Sequence, residues 1–303
     1  FAGGYLGRGM KDVIGFVMAN GSRHFKDLEG WKNDHVDWLK GDVRKYRKLV
    51  TTRMWWVLLL ACAAYLGFIG AVLGFSLVFA PEQQGGVTLH GIDAATAVYS
   101  LTNGIGYVFP LVIGSLAMTT EFRHQTITQS LLVEPRRGVY LGAKLLATVP
   151  VGLLYGLVAV TAVVAASAPL LAGWGDGAYL TDGGVLQVLA LSVVVIAVWA
   201  VVGVAFGSVV TNQVAAIVVI LAFTQLVEPI ARVALGSFAG LDQVAKFLPG
   251  AAADGIVGAS FFSSYGSGAG ELLPRWAALL VLLGYAAALA LIGRYTTLRR
   301  DVG

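Results

Sequence analysis

The sequence predicts an all-α polytopic membrane protein with six transmembrane helices, and three observations carry that prediction. Hydrophobic residues make up 57% of the 303-residue chain and charged residues only 13%, against about 25% charge in a soluble domain. Mean hydropathy is +0.77. Beyond residue 53, apolar runs recur that are long enough to cross hydrocarbon as helix, which takes about 20 residues. Length alone suggests two soluble domains, but the apolar runs override that reading.

The region 1-53 is basic and bears Trp31 and Trp38. Phe1 is not an initiator, so the numbering is expected to begin inside a longer translated chain. No apolar core of a signal peptide follows the first charges. Met10, Val13, Ile14 and Val17 share one helical face, with Asn20-Gly21 as its stop. A second face runs through Trp31, His35, Trp38, Leu39, Val43, Tyr46, Leu49 and Val50. An apolar stripe bearing Trp beside a Lys/Arg face suits an interfacial amphipathic helix lying in a headgroup layer. A small soluble helical pair is the other reading of that composition. The positive charge is read as attraction to anionic membrane lipids, not as a nucleic-acid surface.

The membrane domain is expected over 54-294. Residues 54-80 supply the first span. Residues 98-119 supply the second, with Pro110 as its kink, and 141-168 the third. Gly183 to Val227 holds 45 residues without a charge, too many for one span. Thr211-Asn212-Gln213 divides it into a hairpin, with a fourth span at 185-210 and a fifth at 214-235. Residues 272-294 supply the sixth, with Pro274 in its first turn, and 295-303 form a tail. The stretch 236-271 is too apolar for a solvated loop and too broken for a span. Short re-entrant helices in the outer leaflet fit it, with Ser260 to Gly270 as a flexible link.

Basic residues set the orientation. With six spans both termini share one side, and 18 of the 21 Lys and Arg fall there. That side is expected to be cytoplasmic. Trp38, Trp55, Trp56, Trp174 and Trp276 fall near the expected interfaces. Gly70/Gly74, Gly152/Gly156 and Gly203/Gly207 make G-x-x-x-G pairs, read as close helix packing. Cys62, the one cysteine, is read as a small packing residue.

The segment 121-144 is the charged stretch of any length lying between two strongly apolar runs, and it must reach water. Phe122, Ile127, Leu131 and Leu132 recur roughly on one helical face, and Pro135 and Gly138 stop that helix. On composition alone, an ordinary loop anchored by Arg136, Arg137 and Lys144 also fits. The run Glu121-Phe-Arg-His-Gln-Thr-Ile-Thr, then Leu131-Leu132, Pro135-Arg136-Arg137 and Lys144, resembles the membrane subunits of ABC exporters of the ABC-2 type. Val227-Glu228-Pro229 and Leu248-Pro249-Gly250 resemble the same family. Where Gln125 stands, many members have glycine, which allows a tighter turn.

The resemblance implies a permease subunit of a bacterial plasma-membrane exporter, working as a pair with a second copy or a homologue. It implies two copies of a separate ABC ATPase subunit carrying ATP and Mg. It also implies a lipid-like or amphipathic cargo, such as an antibiotic. Residues 121 to 134 would then be a cytoplasmic coupling helix. Arg123, His124 and Gln125 would make polar contacts to the ATPase, with Thr126 beside them and Phe122 and Ile127 as anchors. Glu121 is expected to favour the N-terminal amides of that helix. Glu121→Ala and Arg123→Glu are expected to uncouple hydrolysis from transport in a folded protein.

The chain itself shows no phosphate-binding G-x-x-x-x-G-K-[ST] loop. It shows no metal-ligand spacing among its four His, and no G-x-S-x-G elbow. No cofactor is therefore expected on it. Glu228 is the one ionisable candidate inside a span, with Arg232 four residues on as a structural ion-pair partner. Tyr99, Thr102, Asn103 and Gln225 are candidate pathway-lining groups, although helix-to-helix hydrogen bonds explain them as well. Two other functions remain open at this stage: a non-transporting sensor or scaffold on the permease fold, and a membrane-embedded enzyme.

Overall fold

A computed structural model describes residues 53–79, 89–128, 137–238, 241–262 and 272–297. The expected interfacial helix within 1-53, Leu131, Leu132, Pro135, Arg136 and residues 263–270 of the expected Ser260–Gly270 link lie outside the described residues. The chain divides into two units, Phe1–Val57 and Leu58–Gly303, and from Leu58 on the elements discussed below belong to the second. Every regular element among the described residues is helical.

Six helices are long and apolar enough to cross a membrane. The first is α1 (Arg53–Phe79). The second is built from α2 (Gly91–Gly104) and α3 (Val108–Arg123). The third is α4 (Arg137–Trp174) and the fourth α5 (Gly183–Val209). The fifth runs through α6 (Gln213–Ala222), a π-helical turn at Phe223–Val227, and α7 (Glu228–Gly236). The short helices α8 (Asp242–Ala245) and α9 (Pro249–Val257) precede the sixth, α10 (Arg275–Tyr295). Large apolar side chains such as Phe68, Leu146, Leu157, Val214 and Leu280 stand exposed on the outside of the bundle. An apolar exterior over whole helices suits a lipid surroundings, where only internally bonded backbone is stable.

The fourth span is the centre. It packs against both halves of the second span and against the third and sixth. Hydrocarbon gives helices no hydrophobic reason to associate, so close backbone approach has to do it. A Cβ on Gly203 would overlap the Leu111 carbonyl oxygen, and one on Gly114 would overlap that of Ala200. A Cβ on Gly207 would come within 2.6 Å of the Ser115 carbonyl oxygen. On the other side, Gly152 and Gly156 face Ala197 and Val193. Gly70 and Gly74 meet Val163 and Ser167 more loosely, at 3.4 and 3.3 Å from a built Cβ. Cys62 is fully buried.

Helix ends follow from local chemistry. Asp182 caps α5, its Oδ1 accepting from the amides of Gly184 and Val185 at 2.8 and 3.1 Å. Asn212 caps α6 in the same way, from Val214 and Ala215 at 3.0 and 3.1 Å. That cap is what turns the long uncharged run into a hairpin.

Three local expectations are corrected. The second span breaks at Ile105–Tyr107, not at Pro110. Pro110 sits in the first turn of α3, where its missing N–H leaves no intrahelical bond unmade. Pro274 is the residue before α10, not part of its first turn. The third span extends well beyond 141-168 at both ends, keeping Pro150 and Pro169 inside one helix.

Candidate functional site

Two clusters of polar groups mark opposite ends of the bundle. The first lies where α3 ends and α4 begins. Glu121 falls in the last turn of α3 and is buried. Its Oε1 meets Lys144 Nζ at 2.5 Å, and its Oε2 accepts a short hydrogen bond from the Tyr140 hydroxyl. Lys144 Nζ also lies 3.3 Å from Tyr140 Oη. Both ion-pair side chains are nearly shut off from solvent, 8% exposed for Lys144 and 10% for Glu121. Glu121 therefore does not cap a helix N-terminus, as the sequence reading expected. It pins the end of the second span to the start of the third.

The chain then leaves α3 through a tight left-handed turn. Gln125 has φ 53°. The Thr126 amide donates to the Glu121 carbonyl at 3.0 Å, and the Gln125 amide to that of Phe122 at 3.2 Å. This pair of bonds is a Schellman stop, in which glycine is the favoured left-handed residue. The expected continuous coupling helix from Glu121 is thus corrected: one helix ends at Arg123, and helical geometry resumes at Ile127–Thr128 before the described residues stop.

The turn also re-sorts the side chains. Ile127 is fully buried in a cluster with Met118, Leu141 and Val204, and Phe122 packs against the same cluster half-buried. Ile127 is an internal anchor of this chain, which corrects its assignment as a contact to a partner. Arg123, His124 and Gln125 are exposed and Thr126 is half-buried. The Arg123 guanidinium donates to Gln213 Oε1 at 3.0 Å, joining the turn to the start of the fifth span.

The second cluster lies at the opposite end. Pro229 cannot supply a helical N–H, and the chain widens into the π-turn just before it. Gln225, Leu226 and Val227 point outward, while Glu228 is 1% exposed. Glu228 Oε2 accepts from the Tyr107 hydroxyl at 2.6 Å, and Tyr107 stands at the break of the second span. Glu228 Oε1 accepts from the Gly250 amide at 2.5 Å and from Arg232 Nη2 at 3.3 Å. A carboxylate at the start of α9 is favoured by that helix's free amides. A Cβ at Gly250 would overlap the ends of the Glu228 and Arg232 side chains, which would have to shift.

Arg232 is shared. Its Nη1 donates to Asp254 Oδ2 at 2.7 Å, and its guanidinium lies 4.8 Å from the centre of the Phe262 ring. Ser260 Oγ donates to the same Oδ2 at 2.7 Å. Asp254 is fully buried. The expected Glu228–Arg232 pair is thus part of a larger network that includes Asp254, which the sequence reading missed. The G-A-A-A-D-G spacing puts Asp254 one turn after Gly250 on the same face, a signal that was available.

The candidate pathway groups do not form one site. Tyr99, Thr102 and Asn103 are buried on α2. Tyr99 donates to the Ala178 carbonyl at 2.8 Å, and Asn103 Nδ2 to Ser192 Oγ on the fourth span at 2.7 Å. Among the described residues, Thr102 Oγ1 and Asn103 Oδ1 have no hydrogen-bond partner. Gln225 is exposed on the fifth span instead, beside Thr224. Among the described residues no group of His, Cys, Asp and Glu could hold a metal ion. Comparison with protein-family models, curated proteins and solved structures gives no match to this chain.

Proposed function

We propose that this chain is the permease subunit of an ATP-driven exporter of the ABC-2 type, with ATP and Mg bound on a separate ATPase subunit. The observation that carries the reading is the exposed Arg123–His124–Gln125 turn, mounted on the buried Glu121–Tyr140–Lys144 anchor. A force applied at that turn reaches two spans at once, because the ion pair ties them together. Within the motif that resembles the family, Glu121 to Thr128 make this turn and Glu121 and Lys144 its anchor.

The cargo is a lipid-like or amphipathic compound in the bacterial plasma membrane, and both termini are cytoplasmic. Two copies form the pathway. Gln225 supports pairing: it exposes an amide on the outer face of an apolar span, bonded to Thr224 Oγ1 at 3.4 Å, and an under-satisfied amide in hydrocarbon is costly. A second copy over that face gives it a polar partner or a wet path. Nucleotide-driven closure of the ATPases then shifts the spans between two packings, which requires that nucleotide favour one of them by differential contacts.

Arg123→Glu is the test. Arg123 is exposed and its recorded partner is the neutral Gln213, so the buried anchor survives the change. The full chain is purified with its co-purifying ATPase and assayed for ATP turnover and transport. The expected result is a folded complex that keeps hydrolysis and loses transport. Wild-type transport in the variant, or no ATPase recovered with the wild-type chain, would overturn the proposal.

A further inference from the structure

The Asp254 end of the bundle buries more negative charge than positive. Glu228 and Asp254 are 1% and 0% exposed, and Arg232 is the guanidinium between them. Isolated buried charge is expensive, and such groups neutralise rather than remain charged. The two carboxyls are not equivalent. Glu228 accepts from three donors spread over both oxygens: Tyr107, the Gly250 amide and Arg232. Asp254 receives Arg232 and Ser260 on Oδ2, and its Oδ1, like Arg232 Nε, is buried without a partner among the described residues.

The neighbouring elements bring little else. Helix α9 packs against the sixth, fourth and second spans. The sixth carries Arg275, which donates to Gln187 at 3.2 Å, and Tyr285, which donates to the Phe247 carbonyl at 3.1 Å. The fourth span has no titratable group, and α2 carries the exposed Asp93 and the Ala178-bonded Tyr99. We propose that Asp254 is a proton-binding site, its Oδ1 protonated while Arg232 of the fifth span holds its Oδ2 and the proton released when that contact opens. Complete burial pushes the Asp254 carboxyl above the ordinary carboxylate range, against the opposing pull of Arg232 and Ser260.

The sign follows from linkage. A carboxyl raised in the folded state adds stability that is full below its ordinary range and lost as pH rises through its folded value. Acid therefore strengthens that contact. The proposal does not depend on an ATPase partner, so its failure leaves the exporter reading untouched.

The test uses the full chain in lipid nanodiscs. Infrared spectra near neutral pH should show a protonated-carboxyl C=O stretch that shifts when aspartate side-chain carboxyls carry carbon-13, and that is absent in Asp254→Asn. The thermal midpoint of the wild type should fall as pH rises above the ordinary carboxylate range, more steeply than that of Asp254→Asn. A band that ignores the aspartate label places the proton on Glu228 and overturns the assignment. So does the absence of any such band, or an equal pH slope in the two proteins. Asparagine reproduces the neutral acid in shape, so loss of fold in Asp254→Asn would also count against the proposal.

Discussion

Lys144→Met isolates the anchor on which the Glu121 end depends. The change keeps the length and the apolar stem of Lys144 and removes its charge. Glu121 is left 10% exposed with Tyr140 as its remaining recorded donor. Breaking a buried ion pair by deleting one partner costs about 3–5 kcal/mol, whereas an exposed pair is worth about 0–1 kcal/mol. The observed burial puts this pair in the first class, and the Tyr140 hydrogen bond trims the cost toward the lower end. Glu121→Gln/Lys144→Met removes both charges and should recover most of the loss, within about 1 kcal/mol of wild type. Unfolding midpoints of the four proteins of that double-mutant cycle, measured in one detergent, give the coupling energy. A Lys144→Met cost below about 1 kcal/mol, or a double variant no better than the single, would refute a buried, mutually compensating pair.

Gln125→Gly should stabilise the protein by about 1 kcal/mol, since it removes a left-handed non-glycine residue from the Schellman turn; an unchanged or lower thermal midpoint would contradict that. Gly203→Val should destabilise by about 1–3 kcal/mol or prevent folding, because its side chain enters the Leu111 carbonyl on the facing helix. Gly142→Ala, where nothing lies within 4 Å of the added carbon, is the paired control, expected to be neutral or to stabilise by up to about 1 kcal/mol. Equal effects at the two positions, read from the folded fraction after heating, would remove close packing as the explanation.

The helical spans were legible because hydrocarbon leaves backbone amides no partner but their own helix. The hairpin at Asn212 was legible for a local reason, since an uncharged run that long needs a stop and Asn caps well. What escaped reading depended on partners far apart in the chain. Lys144 could be seen as a charge near a span end, but not as the counter-ion of Glu121. Asp254 was hidden in a segment of mixed polarity, and its importance comes from Arg232 being shared. Ile127 was placed on the wrong surface because the turn at Gln125 interrupts the helical period on which a face is drawn. Pro110 drew the kink away from residues 105–107, although proline is harmless in a first turn.

The break at Ile105–Tyr107 makes the second span two levers sharing an elbow, not one rod. Glu121 hangs on the far end of one lever and Tyr99 sits on the other. Tyr107, at the elbow, grips Glu228. A pull on the Glu121 arm would load that joint, where Tyr107 bonds Glu228 and its ring lies 4.5 Å from that of Trp199.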